Sequence, residues 1–505
     1  MEAECGIVCQ LFTIDFEIHT LTPRKIFLFG LSVTTLIFIV STIFPNGMKV
    51  GIFTFRYPDY RTWLKPDTTE YKDIRLIITS VDTVDHPFHP PSFSSNDSMK
   101  ENNDSIKQNP DPLQRDFLED IYSVTYPFEF PQGQDTLLFS LFRTLGKLYQ
   151  RNKPLRILHY GDSQIEGDRV TSTIRNYMQK KYGGQGIGFL PIVPANDFSI
   201  SFQQDISPNW KRFSVLDRNN EIQSADRRYG ISGNLARYIP SREADSLAHI
   251  GLLPFNFGYR NMRTFTHARL FYGQAAKPLT IIVNQYNTQQ MTAHNTVSSA
   301  WWRFEALQNS LDLLLVSSSL PDLYGIALDG EYGVAVDNFP LRGSSGLDFS
   351  RMDTEQMKQM FRMMDVEMLI LQFGANIVPN VVDNYDYYTR RFVRELKTLK
   401  SLKPGLTILV IGVNDMSQNV ANGYQSYPNI VKIRDAQKKA AFESGCVFWD
   451  LYEAMGGKNS MPSWVFANPS LAQKDFVHFS IDGAKIVAEL FCRSWEKEYQ
   501  RFIRM

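Results

Sequence analysis

Gly161-Asp162-Ser163 closes an apolar, strand-like run, Leu155-Arg-Ile-Leu-His-Tyr160, and more than 300 residues later the chain offers Asp475-Phe-Val-His478. A serine on a tight turn after a buried strand can expose its hydroxyl while the backbone behind it stays fixed. An aspartate three residues before a histidine can hold that imidazole as a base. In the chain order Ser…Asp…His these are the parts of a serine hydrolase or acyltransferase.

The elements that must position them are legible nearby. Arg156-Ile-Leu-His-Tyr reads as a short strand and 168–182 as a helix, which puts Ser163 at a strand-to-helix junction. Asp475 and His478 precede Asp482-Gly-Ala-Lys-Ile-Val-Ala-Glu-Leu-Phe491, an amphipathic run expected to form the last helix. Both fragments therefore fall at loop tips beside regular elements, where α/β enzymes place chemistry. His159, just before the turn, is expected to be a satisfied strand residue and not a second base.

With these blocks in view, the chain resembles the SGNH (GDSL-type) hydrolase family. The first block is Gly161-Asp162-Ser163, which implies Ser163 as nucleophile. The second, a glycine in a loop after a strand, is met by Val334-Ala-Val-Asp-Asn-Phe-Pro-Leu-Arg-Gly343, with Gly346 the less favoured choice. The third, Gly-x-Asn after a buried strand, is met by Gly374-Ala-Asn376, and the last by Asp475-x-x-His478.

Gly412-Val-Asn414-Asp415 looks even more like the family's Gly-x-Asn-Asp string, and Ile377 departs from it. Asn376 is preferred because the span from Gly343 holds one helix (354–364) and one strand, as a βαβ unit requires. Asn414 comes one unit later and stays the second choice. The resemblance implies an oxyanion hole built from the Ser163 and Gly343 N–H groups and the Asn376 amide. His478 would serve as base and Asp475 would orient it.

The chain has 505 residues, room for two or three domains, with 43% hydrophobic residues and equal numbers of acidic and basic side chains. That charge balance gives no electrostatic case for nucleic acid. Four cysteines do not make a disulfide scaffold. Without CxxC, HExxH or a His/Cys cluster at ligand spacing, no catalytic metal and no cofactor are expected. Aromatics reach 13%, with Trp301-Trp302 among them; sugar stacking would use such residues, though core packing is the default.

Residues 26–44 form an uncharged, mostly apolar run preceded by Arg24 and Lys25 and followed by Pro45-Asn46-Gly47. At 1.5 Å per residue it spans roughly 28 Å, close to a bilayer core. The expectation is an uncleaved inner-membrane anchor, with 1–25 cytoplasmic and the catalytic part in the periplasm or another extracytoplasmic space.

Residues 45–134 are expected to be a partly disordered spacer. Ile74-Arg-Leu-Ile-Ile-Thr79 is strand-like, and the stretch from Val84 to about Asp111 is Pro/Ser/Asn-rich. Residues 135–197 and 336–505 would form one doubly wound parallel α/β domain, opening with a helix over 135–150. Between them, strand signals at 266–272, 279–284, 302–307, 311–316 and 324–328 argue for an inserted all-β sandwich over 198–335. This insert is similar to the carbohydrate-binding-like jelly rolls of some bacterial envelope esterases of that family. Gly183-Gly-Gln-Gly-Ile-Gly188 follows a helix, so it reads as flexible exit chain and not as a dinucleotide fingerprint.

Anchor, spacer and sandwich suggest a polymeric substrate. The leading expectation is a membrane-anchored carbohydrate esterase removing acyl, chiefly acetyl, groups from a polysaccharide or peptidoglycan. An O-acyltransferase using the same site is the alternative, and a non-catalytic glycan-binding scaffold the third reading.

Overall fold

A computed structural model describes residues 23–43, 48–50, 53–55, 69–82, 126–195, 198–217, 226–239, 247–256, 258–421 and 423–505. Two units are distinguished, residues 1–69 with 419–423 and the remainder. In the first, the described residues form the helix Pro23–Ile43 and an antiparallel pair, Met48–Val50 with Phe53–Phe55. The anchor expected over 26–44 falls on this helix, several of whose side chains lie outside the described residues. Among the described residues, no helix is long and apolar enough to cross a membrane. Most of the expected spacer, including 84–111, also lies outside them.

The second unit is mixed α/β. Its centre is a five-stranded parallel sheet: β1 (Leu155–Gly161), β2 (Val334–Pro340), β3 (Val366–Gln372), β4 (Thr407–Ile411) and β5 (Val447–Trp449), in the spatial order 2-1-3-4-5. Alternate residues of each strand serve opposite cores. Ile157, Val336, Ile370, Ile411 and Trp449 meet one set of helices, while Leu158, Phe339, Leu371, Val410 and Phe448 meet the other. Runs apolar at every position are what a sheet covered on both faces demands.

On the first face lie α1 (Thr171–Tyr182) and α5 (Ile481–Arg504), through Ile174, Met178, Val487, Phe491 and Trp495. On the second lie α2 (Thr354–Met364), α3 (Asp386–Lys400) and α4 (Ile430–Glu443), through Met360, Phe392, Leu396 and Ala440. This is a doubly wound arrangement with its topological switch between β1 and β3.

Between α1 and β2 the chain builds two antiparallel sheets, of five and six strands, with Gly188–Leu190 joined to the larger through Leu323–Asp329. Their facing side chains, such as Ile250, Ile281 and Leu313 on one and Phe265, Leu270 and Ile326 on the other, share a single core. The six-stranded sheet is buried on its outer face too. Phe213, Phe271 and Tyr324 join the core over α2 and α3. A buried cluster reinforces that seam: Arg156 of β1 pairs with Asp337 of β2 at 2.7 Å and with Asp329.

Three local expectations are corrected. Arg75–Thr79 lies in a helix, Arg75–Asp82, in which Ile77 is buried, as is Ile74 just before it; β-branched content misled where burial at helical spacing decided. The helix expected over 135–150 is reduced to Phe139–Leu145 and a 3₁₀ turn at Leu148–Gln150. The glycines of 183–188 are points of close backbone approach and not slack chain. A Cβ on Gly186 would stand 2.1 Å from the Leu328 carbonyl oxygen, and one on Gly184 2.4 Å from that of Val334.

Candidate active site

Gly161 ends β1 where there is no room for a side chain: a Cβ would meet the Gln372 carbonyl oxygen of β3 at 2.9 Å. The chain then turns sharply. The Asp162 carboxylate accepts the Gln164 N–H at 3.0 Å and caps a 3₁₀ turn, Ser163–Asp168, whose first residue presents the half-buried Ser163.

The histidine arrives on the loop before α5. The Asp475 carboxylate accepts the N–H groups of Val477 (2.9 Å) and His478 (3.0 Å), and Phe476, the residue after Asp475, sits at a φ of 58°. Its other oxygen lies 2.7 Å from His478 Nδ1. Ser163 Oγ lies 2.8 Å from His478 Nε2. Burial works to raise the pKa of Asp475, but hydrogen bonds from the His478 ring and from the two N–H groups outweigh it and hold the carboxyl below its ordinary value.

Gly343 lies just beyond β2 at a φ of 84°, a conformation open to glycine, with nothing near where a Cβ would be. The turn is tied to the serine strand, since the Leu341 N–H donates to the Gly161 carbonyl at 2.7 Å. Gly346 is instead packed on Phe373. Asn376 is exposed beyond β3, and its amide donates to the Ser344 carbonyl at 2.9 Å. Ser163, Gly343 and Asn376 thus follow the three contiguous strands β1, β2 and β3.

Asn414 follows β4, one strand further off. It is buried and donates to the carbonyls of Asp415 (2.8 Å) and Val477 (3.3 Å), so it supports the histidine loop from beneath. His159 is fully buried between Thr171 Oγ1 (2.9 Å) and Gln372 Oε1 (3.2 Å), and burial lowers its pKa to about 3. It is a neutral strand residue, as expected.

Sequence reading missed three positioning side chains. Gln164 donates to the Val477 carbonyl at 2.7 Å and accepts the Phe479 N–H at 3.4 Å, gripping both neighbours of His478. Arg169 donates to the carbonyls of Ser163 and Phe479, each at 2.8 Å. Asp162, fully buried, accepts N–H groups of Gln164, Ala375 and Gly374, and burial raises its pKa to about 6. The only available signal was their position beside the serine turn.

Among the described residues no His/Cys/Asp/Glu group could hold a metal. Cys446 and Cys492 are buried free thiols.

No family model matches the chain, and no curated protein matches it. Among solved structures, a peptidoglycan O-acetylesterase superposes with a TM-score of 0.58 at 20% identity, covering 74% of this chain and 99% of its own. A family two carbohydrate esterase from Cellvibrio japonicus covers 59% of this chain and 99% of its own at 7% identity, with a TM-score of 0.22. A carbohydrate esterase family 3 structure from Talaromyces cellulolyticus covers 33% and 72% at 16% identity, with a TM-score of 0.24. Only the first of these superpositions is close enough to carry an argument, and it concerns the architecture. With its parallel sheet, its inserted antiparallel sheets and its sequence blocks in order, the chain has the fold of the SGNH/GDSL-type hydrolases.

Proposed function

We propose that this protein is a serine esterase that removes acetyl groups from an O-acetylated polysaccharide or peptidoglycan. The observation that carries the reading is the unbroken line of hydrogen bonds from Ser163 Oγ through His478 to Asp475. In this reading Ser163 Oγ attacks the ester carbonyl carbon while His478 Nε2 takes its proton. Asp475 holds the tautomer with the proton on Nδ1 and stabilises the imidazolium.

The tetrahedral oxyanion is received by the N–H groups of Ser163 and Gly343 and the Asn376 amide, each such donor being worth about 3 kcal/mol at the transition state. Collapse expels the sugar alcohol, which takes its proton from His478. Water then attacks the acyl-enzyme with His478 again as base. The glycan assignment draws on the similar peptidoglycan O-acetylesterase and on the inserted sheets. The apolar run at 26–44 supports an inner-membrane anchor with the catalytic unit on the extracytoplasmic side.

The test is turnover of a chromogenic acetyl ester by the full chain beside Ser163→Ala. A loss of about 10⁴-fold or more is expected from removing the nucleophile. Equal rates in both proteins would remove Ser163 from the mechanism. Adding an acceptor sugar and measuring acetate against acetylated product separates hydrolysis from transfer.

A further inference from the structure

A second cleft, of about 450 Å³, lies at the edge of the parallel sheet opposite the serine turn. One wall is Asn152 to Pro154, just before β1, and the other is the outer face of the six-stranded sheet. Strand register fixes what that face presents. Trp301 pairs with Arg269 and Arg303 with His267 on neighbouring strands, while Ala327 pairs with Arg269 on its other side. Directly paired residues share a face, so Ala327, Arg269 and Trp301 form a row across three strands.

Two members of the row are left incomplete. Arg269 is more than half buried, over the Phe271 ring at 4.8 Å, with hydrogen bonds only to Ser299 Oγ (2.9 Å) and the Met363 carbonyl (2.6 Å). Among the described residues it has no carboxylate within ion-pair distance. A desolvated guanidinium without a counter-charge is costly. Burial, and then the charge of Arg156, press against its ionised form, and the Asp329 carboxylate, already paired with Arg156, opposes them only in part.

Lys153 in the opposite wall stands 3.8 Å from the Asp365 carboxylate, which Arg151 also engages, and burial first and then Arg151 and Arg269 lower its pKa. Arg156 also lines the cleft, but it is matched by Asp329 and Asp337. Beside these cations the Trp301 side chain is 60% exposed, whereas Trp302, one residue on, packs against the sandwich core.

We infer that this cleft binds a carboxylate-bearing sugar unit of a polymeric glycan, Arg269 and Lys153 holding the carboxylate and Trp301 stacking on the ring. A guanidinium takes a carboxylate through two parallel hydrogen bonds, and an indole offers a flat apolar platform at low entropic cost. The inference rests on the glycan reading above.

A seven-residue strand at about 3.3 Å per residue puts the two sites roughly 20 Å apart. One polymer chain held at the distal cleft would then raise the effective concentration of its esters at Ser163.

The experiment uses the full chain carrying Ser163→Ala, with polygalacturonate as acidic probe and xylan as neutral probe, in affinity electrophoresis. Polygalacturonate should retard this protein, less so as NaCl rises, and Trp301→Ala or Lys153→Glu should each weaken retardation at least tenfold. With Ser163 intact, both variants should turn over a small soluble acetyl ester at the parent rate. Undiminished retardation in both variants, no retardation by polygalacturonate, or equal retardation by xylan would overturn the proposal. Failure of the esterase reading looks different: equal small-ester turnover by the parent and Ser163→Ala, whatever the polygalacturonate result.

Discussion

Ser163 and His478 are 315 positions apart, and what holds them together is a set of side chains belonging to the serine turn itself. Gln164 grips the Val477 carbonyl and the Phe479 N–H, so the imidazole is fixed from both sides. Gln164→Ala should therefore lower kcat on a small ester by roughly 10- to 100-fold with KM nearly unchanged, because a slight misplacement of a general base is that costly. A variant whose KM rises while kcat holds would refute the positioning role.

Asp162 carries a pH signature. Buried, its carboxyl is pushed up to about 6 from an ordinary 3.8. Between about pH 4 and 6 the folded chain keeps a proton that the unfolded chain has released, so this group's stabilising contribution is present at low pH and is lost as pH rises through the folded pKa. Two units correspond to at most about 3 kcal/mol. Urea unfolding from pH 4 to 7 should show a smaller decline for Asp162→Asn than for the parent; identical slopes would sink the idea.

At the scale of elements, the strand order 2-1-3-4-5 decides which loops can face one hydroxyl. Loops after β2, β1 and β3 are neighbours at the switch point, so Gly343 and Asn376 flank Ser163, while Asn414 lies one strand beyond. Close backbone approach joins these elements to the inserted sheets, and Gly186 is where it is tightest. Gly186→Ala combines a φ of +88° with a contact of 2.1 Å to a carbonyl oxygen and should cost more than about 3 kcal/mol. Gly405→Ala, at a φ of +75° with open space around it, should cost only the backbone strain of about 1 kcal/mol. Chemical denaturation of the pair measures the difference, and equal losses would show that packing at Gly186 is not the cause.

For the α/β part and the inserted sheets taken together, the salient feature is that the six-stranded sheet has no free face where Phe271 and Tyr324 lie. One side packs on the five-stranded sheet and the other on the cores around α2 and α3, with Arg156, Asp329 and Asp337 buried at the seam. Removing one partner of such a cluster strands a charge and costs about 3–5 kcal/mol. The insert should not melt by itself. Calorimetry of the parent should give a single cooperative transition for both parts, shifted downward by Asp329→Ala; two separated transitions would show independent cores.

By itself the sequence pointed to Ser163, Asp475 and His478 as candidates for chemistry and to the elements next to them. Leu155–Gly161, Thr354–Met364, Val366–Gln372 and Leu311–Val316 were all legible, because apolar periodicity and glycine turns are local signals. It also gave the parallel alternation after the insert. Only the tertiary structure decided that Gln164 and Arg169 bridge the serine and histidine loops, that Asn414 lies beneath them, that Arg75–Thr79 is helical and that Gly184 and Gly186 are packing points. Each of these depends on a partner distant in the chain. A single strand's pattern records which faces are buried but not against what, and pairings across such distances are set by sheet order and register.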